Sequence, residues 1–375
     1  MPALTEQPIF RKELADIPVT RLVSVDALRG FDMFWIMGGD YVLRSLPAIH
    51  NSALTRGLAA QMEHCEWAGF HFYDLIFPLF VFLVGVSIVF SIRRMVERAG
   101  RGVAVKRIII RSVILFLLGV FYMGGVSNGF KNVYFAGVLH RIAVAYFFAA
   151  LIFCFCRLRT MVLICLALLA GYWLLMSFVT VPGVGAPSLD GPGINLAHYI
   201  DERFLPGRKF EGTLLSTMPA VANCLLGVFA GLLLNDQVIS SQKKVYYLLG
   251  SGIVSLVVGL IWAQQFPIIK LLWTSTYVLV ACGVSAILLA GFFQVIEIWQ
   301  CRTWAQPFVW MGMNAITVYL VANIVNFHRL AARFVGGDIG VYLGSYSELV
   351  LSLVGLGLTF WFVHFLYGRK IFLRL

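Results

Sequence analysis

Charge is scarce in this chain. Only 13% of its 375 residues are Asp, Glu, Lys or Arg, while 60% are hydrophobic; the mean hydropathy is +0.86. A soluble fold of that length could not cover its surface with so few charges, so the sequence reads as an integral membrane protein. Nor is a cleavable leader expected. Residues 1–20 carry Glu6, Arg11, Lys12, Glu13 and Asp16 with no apolar core, which makes them a polar tail. Cysteines are few and scattered, at positions 65, 154, 156, 165, 224, 282 and 301. The close pair Cys154 and Cys156 would point to different faces of a helix, so the cysteines read as packing residues and no metal site or disulfide framework is expected. There is no Walker loop, no dinucleotide fingerprint and no serine elbow; GGVSNG at 124–129 reads as a turn. No internal repeat, no low-complexity segment and no pair of broken helices is legible.

What is present is a series of apolar blocks, each long enough to cross roughly 30 Å of hydrocarbon as a helix. They fall at 24–47, 70–92, 107–124, 134–156, 160–181, 214–235, 244–264, 273–298, 305–327 and 347–368. The cations sort by side: 17 lie in the tail, the loops after the even-numbered spans and the C-terminus, 9 lie in the opposite loops, and Arg29, Arg111 and Arg141 lie within spans. By the positive-inside rule both termini face the cytoplasm. The expected architecture is therefore an all-α, polytopic integral membrane helical bundle of about ten transmembrane helices. Residues 1–20 form a cytoplasmic N-terminal tail and 21–375 a single transmembrane domain, with long outer loops at 48–69 and 182–213. The second of these holds NLAHYIDERF, which reads as a short surface helix. The net charge of +11 reflects topology and anionic lipid, and no nucleic-acid partner is expected, because no basic stripe stands outside the membrane.

An ionisable side chain at bilayer depth costs at least about 2.5–3.5 kcal/mol unless it is paired or wetted, so those few residues are informative. Asp26 and Arg29, three apart, can pair on one helix face near the cytoplasmic end, with Asp32 able to join them and Ser24 capping the helix; a hold on a phosphate-bearing ligand is the alternative. Asp40, beside Gly38 and Gly39, falls near the outer surface and can meet a ligand. If a helix starts near Glu63, then His64, Trp67, His71 and Asp74 share one face. A histidine next to a carboxylate can act as a general base or accept an acyl group, although outer-leaflet His and Trp also serve as interfacial anchors. His140 and Arg141 sit inside the fourth span, roughly 10 Å deep, with Asp74 or Asp40 as candidate acid partners for the arginine. Glu211 before the sixth span and Asn314 in the ninth add polar groups; Asn314 suits a helix-to-helix hydrogen bond or a substrate contact.

These blocks carry a resemblance. SVDALRG at 24–30, EHCEWAGFHFYDLIFPLFVFLVG at 63–85, GVLHRIAVAYF at 137–147, VPG at 181–183, YID at 199–201, FEGTLLSTMPAVANCLLGVFAG at 210–231, GMNAITVYL at 312–320 and RKIF at 369–372 resemble, in that order, the membrane domain of the heparan-alpha-glucosaminide N-acetyltransferase family. The resemblance implies acetyl transfer across a membrane, from cytoplasmic acetyl-CoA to an amine or hydroxyl of an amino sugar or glycan on the far side. It assigns the catalytic histidine to His64 and its acidic partner to Asp74. It leaves Asp40, Trp67, His71, Glu211 and Asn314 for the acceptor, and Asp26, Arg29, Arg111, His140 and Arg141 for the donor. Direct transfer and an acetyl-histidine intermediate both stay open. Two departures stand out: Asp40 occupies a family asparagine position, and the family's large luminal domain is missing, so the chain looks like a short bacterial relative in an inner membrane. The expected partners are membrane lipid, acetyl-CoA and the sugar acceptor, with a homodimer as candidate assembly and no metal. The competing class is a proton-coupled transporter or flippase of a sugar-like substrate, in which His64, His71 and Asp74 would relay protons.

Overall fold

The computed structural model describes residues 22–125, 127, 129, 132–183, 185–191, 195–207 and 213–372. Among them it is helical throughout, with two isolated bridges and no strand. The chain opens with α1 (Val23–Phe34), continues through a π turn (Trp35–Gly39) into α2 (Asp40–Ile49), and adds α3 (Ala53–Gln61) inside the first outer loop. Then come α4 (Phe72–Tyr122), α5 (Val138–Phe155), α6 (Leu158–Phe178), the surface helix α7 (Leu196–Phe204), α8 (Thr217–Asn235), α9 (Ser241–Trp262) and α10 (Ser275–Phe293). The C-terminal part is α11 (Gln306–Met313), α12 (Ala315–Val325), α13 (Phe327–Val335), α14 (Asp338–Leu343) and α15 (Ser347–Gly368).

Among the described residues seven helices are long and apolar enough to cross a membrane, or eight if the bent pair 303–325 counts as one span. That is fewer than the hydropathy blocks suggest, for two physical reasons. The second and third blocks run together in the 51 residues of α4, where the polar stretch between them stays helical up to a break at Gly100, φ 84°. The first block is split by the π turn, where Gly38 takes φ 121°, a conformation that a side chain would strain. The second bend falls on Asn314, where α11 and α12 meet at 72°. Two broken helices are thus present where none was legible in the sequence.

The first half of α4 is the centre of the molecule, with Leu75, Leu79, Phe82, Leu83, Val86 and Val89 all buried. α5, α8 and α10 pack around it. Small residues set the spacing. A Cβ on Gly227 would lie 2.0 Å from the Phe82 carbonyl oxygen, and one on Gly312 would lie 1.8 Å from that of Asp26, so α8 touches α4, and α11 touches α1, backbone to backbone. The outward faces of α6 and α9 carry exposed Leu163, Leu166, Leu174, Ile253, Val254 and Leu260, an apolar surface suited to lipid.

Candidate functional site

The segment before α4 is a folded loop, whereas the stripe pattern suggests helix. Helix begins only at Phe72, and residues 63–71 bend back over its first turn because Asp74 collects their donors. The Asp74 side chain is fully buried. Its Oδ2 accepts from the backbone N–H of His71 at 3.0 Å and of Cys65 at 3.3 Å. Its Oδ1 lies 2.9 Å from His64 Nδ1. The His71 ring is held by the Glu63 carbonyl at 3.0 Å. Gly69 N–H donates to the Ile268 carbonyl at 2.9 Å, and Trp67 Nε1–H donates to the Leu189 carbonyl at 2.6 Å. His64, His71 and Asp74 of the stripe therefore do converge, through hydrogen bonds and not through helical periodicity. Trp67 is the one turned away, packed into a separate apolar cluster with Tyr172 and Ile269.

From the opposite side comes a residue that the sequence analysis counted only as an outer-loop cation. Lys270 Nζ lies 2.7 Å from His64 Nδ1, 3.0 Å from Nε2 and 3.3 Å from Asp74 Oδ1. It is carried by a tight turn between α9 and α10, closed by Thr274 N–H to the Ile269 carbonyl at 3.2 Å and by Trp273 at φ 52°. Ile269, Leu272 and Trp273 are buried, and they anchor the turn. Burial pushes the Lys270 ammonium below its ordinary range, and the Asp74 carboxylate beside it opposes that shift. Tyr277 completes the support, donating its hydroxyl to the Asp74 carbonyl at 2.7 Å, and Tyr73 lays its ring 4.9 Å from that of His64.

This geometry assigns the protons. The buried carboxylate accepts, so His64 Nδ1 carries the hydrogen and Nε2 presents a lone pair. Half of the His64 side chain is exposed, against none of Asp74, so the imidazole can be reached from outside while the carboxylate is sealed. Cys65, His71 and Asp74 also bring three ligand-type atoms within 4.8 Å of one another. Burial and the neighbouring Asp74, however, push the Cys65 thiol up to about 11, and both Asp74 oxygens are occupied; a thiolate ligand needs the reverse.

Asp40 is buried just above the Gly38 bend. Arg44 links it to the loop, with Asp40 Oδ2 at 3.8 Å and Glu63 Oε1 at 3.5 Å. Asp40 thus borders the His64 centre, on the side of Tyr73. The donor candidates are dispersed. Arg29 pairs with Asp26 at 3.4 Å and donates to Ser87 Oγ at 2.6 Å. Ser24 does not cap α1: its N–H donates to Glu297 Oε1 at 3.0 Å, and the helix starts one residue earlier, at Val23. Arg111 lies over the Tyr146 ring at 4.6 Å. His140 and Arg141 stand only in the first turn of α5, shallower than the hydropathy block implies, since helix starts at Val138 and not at 134. His140 Nδ1 accepts from Gly137 N–H at 3.2 Å. Among the described residues Arg141 forms no ion pair with Asp74 or Asp40; its guanidinium stacks 4.5 Å over Trp273, beneath the turn that carries Lys270. Asn314 is buried at the α11–α12 bend and donates to the Trp310 carbonyl at 3.4 Å. Glu211 lies outside the described residues. In α7, Asp201 anchors the start of the next span by accepting from Thr213 and Leu214 N–H at 2.5 and 2.8 Å.

A histidine–carboxylate pair with a half-buried lysine against it stands at one end of a bundle of long apolar helices. Residues 21–261 match the family of heparan-alpha-glucosaminide N-acetyltransferase catalytic domains, and the chain belongs to that family. It is 25% identical to heparan-alpha-glucosaminide N-acetyltransferase of Mus musculus, with 98% of this chain and 62% of the relative covered. With the Homo sapiens protein of the same name it shares 24% identity, over 95% of this chain and 60% of the relative. The chain thus spans about three fifths of the length of these relatives. Both are named as transferases, and neither supports a transporter or flippase.

Proposed function

We propose that this protein is a transmembrane acetyltransferase that moves an acetyl group from acetyl-CoA to an amine or hydroxyl of a sugar or glycan. The observation that carries the reading is the hydrogen-bonded His64–Asp74 pair with Lys270 against it, lying at one end of the bundle in a family of acetyltransferases. In the forward reaction His64 Nε2 takes the proton of the acceptor N–H or O–H as that atom bonds to the thioester carbonyl carbon. Asp74 stabilises the imidazolium through Nδ1–H and holds the ring in place. Lys270, turning from Nε2, stabilises the oxyanion that develops. The carbon–sulfur bond then breaks, and the departing thiolate takes the proton from Nε2. Acyl thioester and acceptor become acylated acceptor and free thiol, with His64 restored. Attack by Nε2 itself, giving an acetyl-histidine, uses the same groups.

In this reading the bundle crosses the membrane ten times, counting the bent rod of α1 and α2, the two arms of α4 and the α11–α12 pair as single crossings. The positive-inside excess supports cytoplasmic termini and an outward-facing His64, as in a bacterial inner membrane. Arg29 and Arg111 serve the phosphates of the donor. Asp40 faces the acceptor, where its charge suits a cationic amine. The test is acetyl transfer by the purified protein in liposomes, with acetyl-labelled CoA and a panel of amino sugars. His64→Ala should abolish label on the acceptor or on the protein, while the elution profile and melting temperature stay intact. Full transfer by the folded variant would overturn the assignment.

A further inference from the structure

α9 is drawn away from the helix that precedes it. It packs on α10 backbone to backbone: a Cβ on Gly252 would lie 2.8 Å from the Gly283 carbonyl oxygen, and one on Gly283 would lie 2.7 Å from that of Gly252. The short connection from α8 is closed by Lys244, whose Nζ donates to the Leu234 carbonyl at 2.8 Å. Between these two ties α8 and α9 part, and a groove of about 550 Å³ runs between them, in the size range of small-ligand sites. Leu226, Phe229 and Leu233 of α8 form one wall, and Tyr246, Tyr247 and Gly250 of α9 form the other. A Cβ on Gly250 would meet nothing within 4 Å. Both helices are long and apolar enough to cross a membrane, so the groove lies within the apolar band. The tyrosines stand in the first two turns of the 22-residue α9, roughly 24 Å of helix before the end that leads into the Lys270 turn. They therefore mark the membrane face opposite His64.

The chemistry of the lining selects the occupant. Deep in the groove the polar side chains are spent on backbone carbonyls: Ser251 Oγ donates to Leu248 at 3.1 Å, Ser255 Oγ to Leu279 at 2.7 Å and Cys282 Sγ to Asn223 at 3.9 Å. Such a surface offers hydrocarbon contact and would leave a polar occupant short of partners. At the mouth the pattern reverses. Tyr246 and Tyr247 are 63% and 55% exposed, and the exposed Lys243 precedes them by three and four residues on the same helix face. Amphipathic rings beside a cation suit an anionic headgroup at the interface. Width decides against a helix of a second copy. A volume of about 550 Å³ along the roughly 14 Å from Tyr246 to Ser255 has a section near 40 Å², at most about half that of a helix with its side chains. We propose that the α8–α9 groove binds one acyl chain of an anionic phospholipid in the leaflet opposite His64, with the phosphate on Lys243. This site is independent of the acetyl-transfer reading.

The experiment photolabels the full-length protein in phosphatidylcholine vesicles doped with phosphatidylglycerol that carries a diazirine in one acyl chain, and maps the adducts by peptide mass spectrometry. Adducts should concentrate on 226–233 and 246–255. Gly250→Leu fills the groove from a position with open space and puts a better helix former there. It should abolish labelling of both segments without lowering the melting temperature. Gly357→Leu, at an equally open glycine of α15, should leave the labelling unchanged. Lys243→Gln should lower it about fivefold, the factor expected of one lysine beside an anionic head, and should have no effect when the same diazirine chain is carried on phosphatidylcholine. Labelling spread evenly over the outward faces of α6 and α9, or labelling that Gly250→Leu leaves intact, overturns the site. Equal loss with both lipids in Lys243→Gln overturns the anionic head. Protection of both segments together with cross-links between two copies would put a second copy in the groove and overturn the lipid.

Discussion

Asp74→Asn isolates the charge of the carboxylate from its shape. Asp74 accepts four contacts: His64 Nδ1 at 2.9 Å, Lys270 Nζ at 3.3 Å, and the backbone N–H groups of His71 and Cys65 at 3.0 and 3.3 Å. An asparagine has one oxygen and one NH2 for these positions. With the oxygen toward His71 and Cys65, the NH2 faces His64 and forces the ring to accept at Nδ1, which moves its proton to Nε2 and removes the base. With the oxygen toward His64, the NH2 meets two backbone donors at the loop closure. The second arrangement leaves buried donors unsatisfied at about 1–3 kcal/mol, so the first should prevail. Wrong-tautomer substitutions beside a catalytic imidazole cost up to about 10⁴-fold in kcat; a loss of 10²- to 10⁴-fold is expected here, with the melting temperature a few degrees lower. Label transfer in liposomes at saturating acetyl-CoA gives kcat, and a fluorescence melt reports the fold. A folded Asp74→Asn protein within about threefold of wild-type kcat would refute the tautomer argument and, with it, the assignment of Nε2 as the base.

Lys270→Met should lower kcat on the order of 10²-fold, as removal of one oxyanion donor does, while Kd for the donor stays within a few-fold. Because burial lowers the Lys270 pKa, the folded state binds fewer protons than the unfolded one between that pKa and about 10.4. Stability contributed by this residue therefore rises with pH through that window, and melting curves taken at rising pH up to about 10.4 should lose that upward slope in Lys270→Met. Cys65, pushed up to about 11, should alkylate with iodoacetamide at a rate still climbing tenfold per pH unit at pH 9.5, where an ordinary thiol of pKa about 8.5 has levelled off; peptide mass spectrometry distinguishes it from exposed Cys301. Gly227→Val places a side chain 2.0 Å from the Phe82 carbonyl oxygen, and should destabilise the α4–α8 contact by about 1–3 kcal/mol or more, read as lost monodisperse protein on size exclusion.

Most helices were legible because a membrane span writes itself as a long apolar run: Thr217–Asn235 and Ser347–Gly368 fall within three residues of the hydropathy blocks. The breaks were not legible. Gly38 and Asn314 sit inside runs as apolar as their neighbours, and hydropathy carries no record of backbone direction. The loop at 63–71 misled for a different reason. His64, Trp67, His71 and Asp74 have helical spacing, but Asp74 offers a buried carboxylate to the N–H groups of residues three and nine positions earlier, and those bonds outbid helix in the segment before it. Lys270 was out of reach altogether, since 206 residues separate it from His64 and nothing in PIIKLLW distinguishes it from any other outer-loop cation.

That separation explains how the site is assembled. The first half, His64 with Asp74, is local and closes on a single helix terminus. The second half arrives with the α9–α10 turn, tied to the first by Gly69 N–H on the Ile268 carbonyl and by the Tyr277 hydroxyl on the Asp74 carbonyl. Arg141 stacks beneath this turn on Trp273, so this guanidinium, a candidate for the donor's phosphates, also braces the platform that presents Lys270. Loosening the platform should move the lysine relative to the imidazole without touching either. Tyr277→Phe, which deletes one hydroxyl 2.7 Å from the Asp74 carbonyl, is accordingly expected to depress kcat about tenfold. Donor binding should stay unchanged, because Arg29 is held by Asp26 and Ser87 and not through that bond. A Tyr277→Phe protein with weakened donor binding and normal kcat would show that the turn serves the donor path and not the base.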